Sequence, residues 1–187
     1  MRDVYFATGN LNKFKEADEI FKRNIDRVTL KHFNFVHREI RSDSLEEIAY
    51  EAVAAAYAQL RKPVFVEDTG LFIDALNGFP GTYSAWVQKK IGCRGILKLM
   101  DGEKKRSARF ETCIAFSDGE KTLAFHGRCE GTIAEEERGK SGFGYDSIFV
   151  PEGKSTTFAE NIELKNECSH RYKSLLELIC YLKTFRL

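Results

Sequence analysis

The sequence has no hydrophobic run approaching membrane-spanning length, no internal repeat, no low-complexity tract and no linker between domains. A membrane-spanning helix and a repeat array are thereby excluded, and residues 1–187 are expected to form one domain with room for two lobes. An excess of one charge is also lacking. The 29 Lys and Arg residues face 28 Asp and Glu, so a net charge of +1 provides no global field for nucleic acid or a membrane surface. Any anion must then be bound by a local cluster. Cysteine is sparse, and the five residues show neither CxxC nor Cys/His ligand spacing. Their odd number rules out a complete disulfide framework, so reduced thiols are expected. A basic leader followed by a long apolar stretch is missing too, and cytoplasm is the expected location. What remains, 43% hydrophobic and 30% charged residues, is the usage of a packed globular protein.

The patterning begins as an α/β protein. Residues 3–8 read as a strand, Gly9-Asn10 as a tight turn in which glycine permits an unusual backbone, and residues 12–23 as a helix with Phe14, Ala17, Ile20 and Phe21 on one face. A second strand is expected over 28–33. Ser42-Asp43-Ser44 carries N-cap chemistry for an Ala-rich helix over 45–60, with Asp43 the preferred cap. Val64-Phe65-Val66 reads as a short buried strand delivering Glu67-Asp68-Thr69-Gly70 at its C-terminal end, where ligands bind in open α/β sheets. Helical stretches follow around 83–90 and 94–100. Strands are expected over 108–117 and 122–133, joined through Asp118-Gly119, then another over 147–150 and a final helix over 169–185.

Four segments could carry chemistry. Thr8-Gly9-Asn10-Leu11-Asn12-Lys13 joins strand to helix, and such a helix start with a lysine one turn inside suits phosphate. It also reads as a plain capped junction with a solvated lysine. Glu67-Asp68-Thr69-Gly70, with Glu39 and Asp43 upstream, offers carboxylate oxygens without His or Cys, the donor set of Mg²⁺. Ser141-Gly142-Phe143-Gly144-Tyr145-Asp146 could stack a base on Phe143, or be a turn whose aromatics belong to the core. Lys165, His170 and Arg171 cluster near the last helix as donors for phosphate or a purine carbonyl, or as an ordinary charged helix start. Arg171, early in that helix, is expected to be exposed. Gly139-Lys140-Ser141 looks like the end of a Walker A loop, but the earlier glycine that loop requires is Ala134.

In this order, and with Asn77-Gly78-Phe79-Pro80-Gly81 between the second and third, the four segments resemble the inosine triphosphate pyrophosphatases, also called non-standard purine NTP pyrophosphatases. The resemblance spans nearly the whole chain. It implies an elongated mixed β-sheet flanked by helices, two lobes with a central active-site cleft, and a homodimer. It also implies Mg²⁺-dependent hydrolysis of ITP, dITP and XTP to the monophosphate and pyrophosphate. Thr8, Gly9, Asn10, Leu11, Asn12 and Lys13 would hold the triphosphate, with Asn10 and Lys13 as the principal side chains. Glu39 and Asp68 would hold the metal, and Asp68 would orient or deprotonate the attacking water. Glu47 and Glu67 are the alternatives to Glu39.

Thr69 would line the site, Phe143 would stack on the purine, and Gly144, Tyr145 and Asp146 would shape the sugar and base pocket. Lys165, His170 and Arg171 would close on phosphate and base. Two positions depart from the family pattern: Tyr145 stands where many relatives carry another aromatic, and Leu164 where an acidic residue is common. Donors aimed at the purine 6-oxygen would select inosine over adenine nucleotides. The rival readings are a pyrophosphatase of modified pyrimidines or methylated nucleotides, which a substrate panel separates, and a silent nucleotide-binding module, which turnover excludes.

Overall fold

A computed structural model describes residues 2–184. Among the described residues seven strands, numbered in chain order, form one mixed sheet in the order β2-β1-β3-β5-β6-β7, with β4 paired to β3. β1 (Arg2–Ala7) pairs in parallel with β2 (Val28–Phe33) and with β3 (Val64–Ile73). The parallel connections are made by α1 (Leu11–Asn24) and α2 (Leu45–Leu60). That is the doubly connected start expected of an α/β chain. β4 (Pro80–Gly81) runs antiparallel to β3, and its first peptide bond, Phe79-Pro80, is cis. β5 (Ser107–Ser117) and β6 (Thr122–Ile133) follow one another through a short loop, and β7 (Phe149–Pro151) is antiparallel to β6.

The chain divides into two compact units, one reaching through Asp68 with Thr112–Gly127 and the chain from Arg171, the other made of Thr69–Glu111 and Arg128–His170. Each has its own apolar core. The first packs Val4, Phe6 and Phe65 of the sheet against Ala17, Ile20 and Phe21 of α1 and Leu175, Leu178 and Ile179 of α5 (His170–Thr184). The spacing of 17, 20 and 21 is one helical face, which is why α1 forms where its pattern places it. The second packs Leu71, Ile73, Val87, Ile96, Met100, Phe110, Phe149 and Phe158.

Several expectations are corrected. β3 does not stop at Val66 but runs through Glu67, Asp68, Thr69 and Gly70 to Ile73, so the polar residues lie within the strand. Gly70 fits there because a Cβ would come within 2.7 Å of the Gly81 carbonyl oxygen. The two helical stretches at 83–100 form α3 (Ser84–Leu99), broken at Gly92, whose φ of 64° is left-handed. α2 is capped by Ser44, which accepts from the Glu47 N–H, and not by the exposed Asp43. A separate helix, α4 (Ile162–Cys168), precedes α5 and carries Lys165. The expected helix end at residue 185 lies outside the described residues.

Candidate active site

In the first unit, Asn10 caps α1, its side-chain oxygen accepting from the N–H groups of Asn12 (3.0 Å) and Lys13 (3.3 Å). This leaves the side-chain amide hydrogens for donation. The junction is tied down by Thr8, whose Oγ1 accepts from the Asn10 N–H at 3.1 Å and whose carbonyl lies 2.8 Å from His32 Nε2. Gly9 is not among the left-handed glycines, so its contribution is an uncovered backbone and not a special turn. Leu11 and Asn12 are exposed. The first turn of α1 holds no acidic residue, so beyond the Asn10 cap no negative side chain offsets the partial positive charge of the helix start.

Lys13 is not the solvated lysine of the plainer reading. Its Nζ lies 3.2 Å from Glu67 Oε1 and donates to the Glu67 carbonyl at 3.3 Å. Glu67 in turn receives a two-point fork from Arg171, Nε to Oε2 at 2.8 Å and Nη2 to Oε1 at 2.7 Å. Arg171 Nη1 reaches Glu16 at 2.6 Å. Arg171 is 2% exposed, so the expectation of an exposed helix position fails. The cause is long-range: two carboxylates from β3 and α1 compensate the cation where the sequence shows only a charged helix start. Burial alone would lower the Arg171 pKa, but Glu67 and Glu16 more than offset it and the net shift is upward. Glu16 escaped the sequence reading, although its spacing of three from Lys13 puts both on one face of α1.

Successive side chains of a strand take opposite faces, so Asp68 points away from the Glu67 side. It is half-buried, and Cys113 of β5 feels it. Burial first, and then the carboxylates of Glu46 and Asp68, push the Cys113 thiol up to about 12. The thiol therefore stays protonated and adds no third negative charge. Glu46 was not anticipated either; it stands 3.4 Å from His126. Glu39 is exposed in a segment without regular structure. Of its two alternatives, Glu67 is engaged by two cations, and Glu47 Oε2 accepts from Ser42 Oγ at 2.6 Å. Among the described residues no three His, Cys, Asp or Glu side chains converge as a ready metal cluster.

The second unit holds Thr69, half-buried on β3, and the loop at 141–146. Gly142 and Gly144 are left-handed, with φ of 75° and 66°. The Asp146 carboxylate accepts from the Phe143 N–H at 2.8 Å and from Lys165 Nζ at 2.6 Å, and the same ammonium lies 4.3 Å from the centre of the Phe143 ring. Lys165 is 1% exposed. Tyr145 belongs to the core, donating its hydroxyl to the Ser84 carbonyl at 2.9 Å, while Phe143 is half-buried. His170 is buried and stacked on Phe110 with ring centres 4.4 Å apart.

Residues 4–181 match the model of the Ham1 family. The chain belongs to the Ham1 family. Its similarity to a dITP/XTP pyrophosphatase of Methanopyrus kandleri is 49% identity over 177 residues, covering 92% of each chain. To the dITP/XTP pyrophosphatase of Saccharolobus solfataricus it is 46% identical over 180 residues, covering 95% of this chain and 92% of the other. Among solved structures, a HAM1 protein from Coxiella burnetii superposes with a TM-score of 0.86 at 30% identity, covering 99% of this chain and 100% of that one. The α/β fold with its mixed sheet is thus that of Ham1 structures. No helix among the described residues of this Ham1 chain is long and apolar enough to cross a membrane.

Proposed function

We propose that this chain is a nucleoside triphosphate pyrophosphatase that hydrolyses ITP, dITP and XTP to the monophosphate and pyrophosphate, clearing deaminated purines from the nucleotide pool. The observation that carries this reading is the similarity, over nearly the whole chain, to curated pyrophosphatases of that substrate class. In the first unit, the Leu11 N–H, the Asn10 amide and the Lys13 ammonium bind the triphosphate at the start of α1, where Asn10 already holds the N–H groups of Asn12 and Lys13. Lys13 keeps some exposure beside Glu67, so it can reach an anion without leaving a compensated site.

Asp68 holds the attacking water and accepts its proton. The donor set fits Mg²⁺, which takes one or two carboxylates, here Glu39 and Asp68, and completes its shell with phosphates and waters. Mg²⁺, when bound, supplies the charge that offsets the developing negative charge on the leaving pyrophosphate. Thr69 lines the site. Phe143 stacks on the purine, on a loop shaped by Gly144, Tyr145 and Asp146. Lys165, His170 and Arg171 complete the set for phosphate and base; for Lys165 and Arg171, a substrate oxygen has to compete with carboxylates they already hold.

The test is an incubation of ITP, XTP, dITP, ATP and GTP, with Mg²⁺ or with a chelator, followed by separation of pyrophosphate from orthophosphate. IMP and pyrophosphate are expected from ITP with Mg²⁺ and neither with the chelator. Stepwise IDP and orthophosphate would overturn the reaction, and chelator-resistant turnover the metal.

The five cysteines are free, which fits the reducing cytoplasm where we place the protein. We also propose a homodimer, because Tyr83, Trp86 (62% exposed) and Ile91 of the α3 region present apolar surface of the kind a second copy covers. Sedimentation equilibrium should return twice the 21.4 kDa chain mass. A monomer at micromolar concentration would end that part of the proposal.

A further inference from the structure

The loop at 143–146 has an asymmetry in its backbone groups. The Phe143 carbonyl accepts from the Asp146 N–H (3.3 Å), the Tyr145 carbonyl from Ile148 (3.0 Å) and the Asp146 carbonyl from Ala159 (3.1 Å). The Gly144 carbonyl would be the one left over. Instead two side chains of α3 take it: Gln88 Nε2 at 2.8 Å and Cys93 Sγ at 3.2 Å. Burial raises the pKa of Cys93, so its sulfur keeps a hydrogen to donate. A carbonyl oxygen has two lone pairs, and both are engaged. Among the described residues no acceptor reaches the N–H of Gly144 or of Tyr145. At Gly144 the space where a Cβ would stand is open. The loop therefore leaves two N–H donors unpaired while its carbonyls are engaged.

We propose that Gln88 is a specificity-determining positioning residue, which occupies the Gly144 carbonyl so that the loop offers no acceptor to the exocyclic amino group of a purine. Hypoxanthine and xanthine, like guanine, carry an exocyclic 6-oxygen that can accept from the free N–H groups. Guanine brings an amino group whose hydrogens lose water and gain no partner, and a buried donor left unsatisfied is costly. Rejection of amino-bearing purines then comes from a carbonyl already in use, without any repulsive side chain at the base. This inference rests on the reading of 143–146 as the base loop.

The experiment measures kcat/KM for ITP and GTP in Gln88→Leu, Gln88→Lys and Phe143→Ala. Gln88→Leu keeps the bulk but removes the donor, and the GTP-to-ITP ratio should rise about tenfold, the gain of one hydrogen bond. Lys can still donate, so Gln88→Lys should hold the ratio near that of the parent. A folding defect would lower both substrates together and cannot raise GTP. If Phe143→Ala raises KM for ITP but Gln88→Leu leaves the ratio unchanged, the role of Gln88 is refuted while the base loop stands. If Phe143→Ala leaves KM for ITP unchanged, the base-loop reading fails and takes the inference with it.

Discussion

Replacement of Asp68 by Asn is expected to lower ITP turnover at least about 100-fold, because general-base contributions are typically about 10² to 10⁴ in rate. Asn matches Asp in size, and the half-buried position on β3 accepts it without a cavity, so a cooperative, near-parental melt should accompany the loss. The neighbouring carboxylate cannot take over. Glu67 faces the other side of the strand, with one oxygen on Arg171 Nε and the other on Arg171 Nη2 and near Lys13. Added substrate should not restore the rate, since in the proposed mechanism the missing group acts on the water and not on nucleotide binding. Near-normal kcat at ordinary Mg²⁺ would remove Asp68 from the mechanism and turn attention to Glu46, the other carboxylate felt by Cys113.

Arg171→Ala should cost about 3–5 kcal/mol of stability, the usual result of removing one partner from a buried ion pair. For a chain of this size that corresponds to a fall in Tm of roughly 10 °C. The cost arises because Glu67 would stay buried, and Glu16 partly so, after losing the cation that forks between them. Glu67 would then draw more strongly on Lys13, so KM for ITP should rise as well. Urea melts of Arg171→Ala, Glu67→Gln and the double variant separate these effects, and the double variant should lose less than the sum. Should Arg171→Ala melt like the parent while its ITP kinetics change, the residue would be a recognition group alone, with no role as a structural clamp.

Periodicity made most of the fold legible. The apolar face of α1, the Ala-rich α2 and the hairpin of β5 and β6 declare themselves through local spacing alone. The misreadings share one physical cause. Charges in the middle of β3 looked like a strand end, because their compensation comes from Lys13 and Arg171, 54 and 104 positions away from Glu67. Lys165 looked like a surface donor for the same reason, its carboxylate being 19 positions away. Asp43 and Ser44 both have capping chemistry, and only the backbone decides between them. The loop at 141–146 stands out by its glycines and aromatics, but nothing local announces that Gln88 and Cys93 fasten the Gly144 carbonyl.

The start of α1 has a cost that any attempt to stabilise this protein would meet. An acidic side chain at positions 11–13 would oppose the helix dipole and add about 0.3–1 kcal/mol, which makes this turn an obvious place for a thermostabilising change. If the start of α1 holds the triphosphate as we propose, the same carboxylate would occupy the ground that the triphosphate has to enter, one charge repelling several. With no acidic residue there, the chain forgoes a small share of its stability, and on the proposed function improving the empty protein at this point would worsen the occupied one.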